Sequence, residues 1–202
     1  MDPVESMLLE VAKTTIALFV VVDPVGTVPI IVSLTNSMDE NVKRRNLQNA
    51  TYAGSALLIL FALIGQQLLA VFGISLYSFM IAGGILLLLL SIDILLRGET
   101  TQKIGSVEDV GVVPITFPLL VGPGAITTTI VILQSSGYVV TIVAILIVMS
   151  LTWIILSCVN HVYSILGKTG ASVVSKLMAV FVAAIAIQYI LDGVRYYYPM
   201  KY

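Results

Sequence analysis

Charge is what this 202-residue sequence has least of. Charged residues make up 10% of the chain and hydrophobic residues 58%, whereas a soluble domain usually carries about 25% charged residues. The mean hydropathy is +1.06. At about 20 residues per span, a chain of this length has room for roughly six to eight transmembrane helices. The composition therefore predicts a multi-pass membrane protein with no sizeable soluble domain.

The scarce residue types exclude several classes of function. Ten basic and eleven acidic side chains give a net charge of −1, so the chain has no basic field to attract nucleic acid. A single cysteine, Cys158, and a single histidine, His161, exclude a disulfide framework and clustered metal ligands. The stretch 167–169 (Gly-Lys-Thr) lacks the glycine five residues upstream that a P-loop requires, so ATP hydrolysis is rejected. We expect no metal, no cofactor and no nucleic-acid partner.

Long uncharged runs predict six helices. Residues 46–92 and 110–160 contain no charged side chain, and each run is long enough for two spans. Residues 66–75 and 134–137 mark the connections inside these runs. The N-terminus lacks the basic start of a secretory signal peptide, so we expect the first apolar segment to be retained. The helices are predicted near residues 9–35, 48–72, 75–97, 111–133, 138–160 and 173–197.

The basic residues predict the orientation. Three connections, 36–47, 97–109 and 161–176, contain seven of the ten basic side chains. These are Lys43, Arg44, Arg45, Arg97, Lys103, Lys168 and Lys176. Because cytoplasmic loops carry the excess of Lys and Arg, we expect these loops to face the cytoplasm. Both termini would then lie on the non-cytoplasmic side of the cytoplasmic (inner) membrane.

The first helix contains an interruption at residues 23–29 (Asp-Pro-Val-Gly-Thr-Val-Pro). Pro24 and Pro29 each remove a backbone donor, so a continuous helix is not expected there. In a bilayer the freed carbonyl groups must be buried in protein or line a cavity. Asp23 followed by Pro24 is typical of an N-cap with proline at the first helical position, so a second half-helix is predicted to begin there.

The fourth helix repeats this pattern with Pro114, Pro118 and the stretch 121–129. An offset of 99 residues aligns Pro24 with Pro123, and the same offset aligns Asp93 with Asp192. Three helices in each half place the two halves in opposite orientations, as in many secondary transporters. The predicted fold is an all-α membrane protein whose six transmembrane helices form two inverted three-helix repeats, 1–105 and 106–202, with helices 1 and 4 broken at midplane.

Paired breaks in corresponding helices are the best sequence indication of a transporter's binding site. The N-terminus of a half-helix offers unpaired N–H groups to a carboxylate, and Asp23 or carbonyls freed by the break can meet an ammonium group. One carboxylate and one helix N-terminus, with no nearby Lys, Arg or aromatic residue, suit a small zwitterion. The candidate substrate-binding residues are Asp23, Pro24, Val25, Gly26, Thr27, Gly122, Pro123, Gly124, Ala125, Thr127 and Thr128.

Each of these features has a structural alternative. In the structural alternative, Asp23 serves only as a helix cap and the two breaks are packing kinks. The threonine hydroxyls then only donate hydrogen bonds to the preceding turn. Asp23, Asp93 and Asp192 are candidates for coupling to H+ or Na+. For the last two, however, we prefer structural ion pairs, because Arg97 follows Asp93 by four residues and Arg195 follows Asp192 by three.

Small residues at helical spacing predict close helix packing. The pair Gly83 and Gly84, together with Ala50/Gly54 and Ala179/Ala183, lies within predicted spans. Small side chains let neighbouring backbones approach each other. We interpret these positions as packing contacts and not as binding residues.

Three stretches resemble the MarC family of six-helix inner-membrane proteins, and the resemblance covers essentially the whole chain. They are residues 23–29, residues 81–85 (Ile-Ala-Gly-Gly-Ile) and residues 118–128 (Pro-Leu-Leu-Val-Gly-Pro-Gly-Ala-Ile-Thr-Thr). Characterised members include archaeal transporters that move glycine and alanine using an ion gradient, and the resemblance implies this function here. The family's motif glycines and prolines correspond to Gly26, Pro29, Gly122, Pro123 and Gly124.

The leading hypothesis is therefore a secondary transporter of small neutral amino acids, whose partners are a small zwitterionic substrate and membrane lipid. A broad-specificity efflux protein or a channel is the alternative. An intramembrane enzyme is disfavoured, because no Ser/His pair lies at plausible depth and Asp93 and Asp192 are predicted at opposite helix ends. The sequence leaves the oligomeric state open.

Overall fold

The protein is described by a computed structural model over residues 3–36, 38–97 and 115–198. Within these ranges every regular element is helical, so the predicted all-α class is confirmed. A short kinked segment, Ile115–Leu120, in which Phe117 is extended (φ −130°, ψ 127°), precedes the fifth helix. The helices are α1 (Pro3–Val22), α2 (Val28–Thr35), α3 (Glu40–Val71), α4 (Leu76–Arg97), α5 (Pro123–Ser157) and α6 (Val159–Tyr197).

The interruption predicted in the first helix is present. One helix was expected near 9–35, and the structure has α1 ending at Val22 and α2 beginning at Val28. The predicted second half-helix begins later than expected, because Asp23 is followed by a separate turn before α2. The start of the predicted fourth helix, residues 111–114, lies outside the described residues.

Positive-φ glycines shape the longer helices. Gly137 (φ 77°) bends α5 at the connection predicted for 134–137, and Gly167 (φ 61°) bends α6. Without a Cβ atom, glycine adopts this conformation at little steric cost. The residues before and after each glycine therefore form helical segments with different axes.

Among the residues that the structure describes, four helical segments are long and apolar enough to cross a membrane. The longest uninterrupted helix is α3, whose 32 residues exceed the roughly 20 needed for one span. It begins at Glu40, eight residues before the predicted start, so the charged residues near its N-terminus are helical. The four segments are Glu40–Val71, Leu76–Leu96, Pro123–Ser157 and Thr169–Tyr197.

Contacts along α3 give its direction relative to the chain around α5. Lys43 is hydrogen-bonded to Asn160. Gly54, eleven residues after Lys43 on α3, faces Met149, which lies eleven residues before Asn160. The two segments therefore run antiparallel. By contrast, the Thr116 hydroxyl donates to the Ala50 carbonyl at 3.2 Å. Gly65 lies against Ile130 further along both segments, so α3 runs parallel to the segment 115–136.

Helices α4 and α6 form an antiparallel pair held close by glycines. A Cβ atom at Gly84 would lie 2.7 Å from the Ala186 carbonyl oxygen, and one at Gly193 would lie 2.7 Å from the Tyr77 carbonyl oxygen. Glycine allows these backbones to approach closely. The predicted packing role of Gly84 is therefore confirmed.

Two apolar clusters form the core, and large apolar side chains also cover the outside. One cluster joins α1, α2, α3 and α5 around Leu18, Ile31 and Leu58, and the other joins α4 and α6 around Leu87 and Ala186. Extensive exposed apolar surface marks a surface that contacts other apolar material, which for helices of this length is lipid. Examples are Leu89, Leu96, Ile154 and Phe181.

The close contact at Gly84 gives a test of the helix packing. We expect Gly84→Val to destabilise the protein by about 1–3 kcal/mol, because overpacking forces the two backbones apart. Thermal unfolding of the purified protein in detergent measures the effect. Ala82→Val, at an exposed position on the same helix, is the control and should leave the unfolding temperature nearly unchanged. Equal stability of the two variants would contradict the assigned α4 and α6 contact.

Candidate functional site

A cavity of about 220 Å³ lies where the two Gly/Pro breaks meet. The first break contributes Asp23, Gly26 and Thr27, and the second contributes the stretch 122–125. Helix α4 supplies apolar side chains, and α6 adds the hydroxyl of Ser175. The remaining lining residues are Val21, Val22, Leu86, Leu87, Leu90, Ile94 and Leu120.

Asp23 stabilises the turn at the first break. It has a φ of 43°, the one positive value at a non-glycine residue in the described part of the chain. Its Oδ1 accepts the Gly26 N–H at 3.0 Å, and the Thr27 hydroxyl donates to the Pro24 carbonyl at 2.9 Å. Asp and Asn tolerate this backbone conformation better than most residues. The carboxylate therefore caps a turn as predicted, although α2 itself begins only at Val28.

The second break places a helix N-terminus at the cavity. Gly122 is extended (φ −83°, ψ 176°), and α5 begins directly after it at Pro123. The first N–H groups of an α-helix have no partner within the helix. Here these are the N–H groups of Gly124 and Ala125, since Ile126 already donates to the Gly122 carbonyl at 3.2 Å. The cavity thus has a carboxylate on one break and backbone donors on the other.

Two glycines allow close contacts in the wall of this cavity. A Cβ atom at Gly26 would collide with the Asp23 carboxylate and would lie 2.5 Å from the Ser175 hydroxyl oxygen. A Cβ atom at Gly124 would collide with Leu87. The absence of side chains at these positions therefore brings Asp23, Ser175 and the α5 N-terminus around one small space.

Some predicted site residues lie away from the cavity. Neither Pro24 nor Val25 lines it. Thr127 is buried against Gly83 and its hydroxyl donates to the Pro123 carbonyl at 2.9 Å, the structural alternative foreseen for this residue. Thr128 is fully buried further along α5.

The two other candidate aspartates also lie outside the cavity lining. Asp192 accepts hydrogen bonds from the Gln188 amide at 2.8 and 2.9 Å and lies 3.7 Å from the Arg195 guanidinium. The preferred ion-pair interpretation is therefore supported for Asp192. The Arg97 side chain, expected to pair with Asp93, lies outside what the structure describes.

Sequence reasoning missed Ser175 and the apolar wall from α4. Ser175 falls where the predicted connection 161–176 and the predicted helix 173–197 overlap, and the structure places it within α6 at 8% exposure. No motif distinguishes this serine from others in the chain. Leu86, Leu87 and Leu90 belong to a leucine run that carries no indication of which residue faces a cavity. Among the described residues, no group of three or more His, Cys, Asp or Glu side chains is placed to hold a metal ion.

The structure thus defines a multi-pass membrane protein whose described elements are all helical. A small polar cavity lies between its interrupted helices. The profile described as MarC family integral membrane protein matches residues 8–198. The chain belongs to the MarC family.

Curated relatives cover nearly the full chain. A UPF0056 membrane protein of Archaeoglobus fulgidus is 34% identical, with 87% of this chain and 88% of the relative aligned. A UPF0056 membrane protein of Methanocaldococcus jannaschii is 33% identical, over 89% and 93% of the two chains. One from Pyrococcus abyssi is 31% identical, over 93% and 98%. No solved structure matches the chain.

The hydrogen bond from Gly26 to Asp23 gives a test of the first break. We expect Asp23→Ala to lower the free energy of unfolding by about 1–2 kcal/mol, because the cap is lost and the positive φ becomes less favourable. Asp23→Asn retains an acceptor oxygen and tolerates this φ, so its unfolding temperature should stay close to that of the wild type. An equal loss in both variants would show that charge, and not capping, stabilises the turn.

Proposed function

We propose that this protein is a secondary active transporter of small neutral amino acids, with glycine and alanine as substrates. The proposal rests on one observation, which is that residues of both helix breaks line a single cavity of about 220 Å³. Drug-sized ligands occupy pockets of about 300–1,000 Å³. A cavity below this range favours a small substrate over a bulky one.

The polar groups of the cavity match the two charges of a zwitterion. In the proposed complex, the ammonium group lies beside the Asp23 carboxylate, whose Oδ1 also holds Gly26. The substrate carboxylate accepts from the N–H groups of Gly124 and Ala125, where the helix dipole favours negative charge. Leu87 and Leu90 line the same cavity, and in this small volume they favour a short apolar substrate side chain. Ser175 provides a further hydrogen-bonding hydroxyl.

We further propose that the two halves of the chain, 1–105 and 106–202, are inverted repeats of three helices each. The antiparallel pairing of α4 with α6, and of α3 with the second part of α5, supports this arrangement. Alternating access would then be a rocking of one repeat against the other around the cavity. On this proposal the basic connections face the cytoplasm and both termini lie on the other side of the cytoplasmic membrane.

Asp23 is the proposed site of coupling to an H+ or Na+ gradient. It is the one carboxylate among the residues that line the cavity, and a buried ionisable residue in a transporter commonly marks the ion pathway. Asp93 and Asp192 are given no coupling role here, because neither lines the cavity. Transport is not an enzymatic reaction, and no catalytic residue is proposed.

Uptake of labelled glycine into liposomes containing the purified protein tests the proposal. We expect Asp23→Asn to slow uptake roughly ten- to hundredfold, because a hydrogen bond to a charged group contributes about 1.5–3 kcal/mol. Gly124→Leu should abolish uptake, since even a Cβ atom at this position would collide with Leu87 and displace the cavity wall. Gly170→Leu is the matched control, because a Cβ atom at Gly170 makes only ordinary contacts with Leu166.

The same liposomes distinguish the competing functions. Exchange of labelled for unlabelled glycine supports a carrier, whereas a weakly saturating electrical current without exchange would support a channel. Imposed H+ and Na+ gradients identify the coupling ion. Failure of folded protein to bind either glycine or alanine at millimolar concentration would refute the substrate assignment.

A further inference from the structure

A second cavity, of about 300 Å³, lies at the N-terminal end of α3, where this helix meets the junction between α5 and α6. We refer to it as the basic pocket. Its polar and reactive lining residues are Glu40, Lys43, Arg44, Ser157, Cys158, Asn160 and His161. It shares no residue with the cavity between the helix breaks.

Lys43 is the unusual residue of this pocket. Its side chain is only 6% exposed, and its ammonium group donates to the Asn160 side-chain oxygen at 2.5 Å. An ammonium group has three N–H donors. Within the described ranges of the chain, no carboxylate lies within ion-pair distance of Lys43. A buried charge without an opposite charge nearby is costly in free energy. The pocket is therefore suited to an anion, which would supply the counter-charge that Asn160 does not.

A second basic side chain lies beside Lys43. Arg44 lines the same pocket, together with the single carboxylate of Glu40 and the imidazole of His161, which offers an N–H donor. Helix α3 begins beside the pocket, and its N-terminal N–H groups add partial positive charge. At the junction, the end of α5 at Ser157 and the start of α6 at Val159 present opposite partial charges. Together these groups form a receptor for an anion with several acceptor oxygens, such as a phosphate.

The pocket lies at the depth of a phospholipid headgroup. Thirty-two residues of α3 extend about 48 Å, well beyond the roughly 30 Å hydrocarbon core. The charged first turns of α3 therefore lie at the membrane boundary. Basic pockets between transmembrane helices are known binding sites for anionic headgroups.

A groove lies further along the same pair of helices. It is lined on α3 by Thr51, Tyr52 and Ser55, and on α5 by Leu146, Met149, Ser150 and Trp153. Residues 44, 47, 51 and 55 of α3 follow one another at helical spacing, so pocket and groove share a face of α3. From Lys43 to Ser55 the helix rises about 18 Å, close to the thickness of one leaflet's hydrocarbon.

We propose that the basic pocket and this groove together bind an anionic phospholipid. The phosphate of the headgroup accepts hydrogen bonds from Lys43 and Arg44, and an acyl chain lies in the groove between α3 and α5. Free phosphate offers the same acceptor oxygens, but it would leave the apolar groove unused. The proposal concerns a site separate from the transport cavity and does not depend on the transport function.

Thermal unfolding of the full chain in detergent, with added lipid, tests this site. We expect phosphatidylglycerol to raise the unfolding temperature of the wild type and to bind about tenfold more tightly than phosphatidylcholine. Lys43→Met should remove this preference while leaving stability in phosphatidylcholine equal or higher, because the buried charge is gone. Arg45→Met is the matched control, since Arg45 is exposed and does not line the pocket. Equal lipid preference in Lys43→Met and the wild type would overturn the proposal.

The groove gives a second arm that separates the two sources of phosphate. Ser150→Phe, at an exposed groove position, should weaken phosphatidylglycerol binding severalfold. If inorganic phosphate displaced phosphatidylglycerol at comparable concentration, and Ser150→Phe had no effect, the lipid assignment would be wrong.

Cys158 provides a readout that needs no substitution. It is the single cysteine of the chain, it is exposed, and it lines the basic pocket. An anionic sulfonate thiol reagent should label it faster than a cationic ammonium reagent of the same class, and the difference should shrink at high salt. Phosphatidylglycerol should protect Cys158, whereas phosphatidylcholine should not. Equal labelling by both reagents, without protection by lipid, would refute the site.

Discussion

The need to satisfy the backbone polar groups at two helix breaks constrains the rest of this structure. Lipid offers no hydrogen bonds, so interrupted helices are tolerated in a membrane only where protein or a cavity surrounds them. At the first break the Asp23 carboxylate and the Thr27 hydroxyl satisfy backbone groups locally. At the second break the first N–H groups of α5 remain available to the cavity. Helices α3, α4 and α6 complete the enclosure around both breaks.

Close helix packing follows from this enclosure. Gly84 and Gly193 allow α4 and α6 to approach at backbone distance, and the pair then presents Leu87 from one helix and Ser175 from the other to the same cavity. Gly26 and Gly124 allow similar close contacts at the cavity, where a Cβ atom would collide with Asp23 and Leu87 respectively. Glycine therefore permits close contact both between helices and in the cavity wall.

Several features could be predicted because they depend on local chemistry. Proline removes a donor wherever it stands in a helix, so the break after Val22 and the helix start at Pro123 follow from the sequence. Other features depend on which way a residue points. Thr127 lies three residues from Gly124, yet it packs against Gly83 and not into the cavity. Lys43 lies in a predicted connection, yet its side chain is buried. This burial and the position of Ser175 at the cavity both depend on contacts with distant segments.

The sequence by itself determined that the chain is helical, that it is a membrane protein, and where the helix backbone is interrupted, because hydropathy, proline and glycine act locally along the chain. The tertiary structure alone decided which interruptions meet, which glycines lie against a neighbouring segment, and which charges become buried. These outcomes depend on the directions and separations of helices far apart in sequence. Helical periodicity defines faces, but only packing decides which face meets a neighbour, a cavity or lipid.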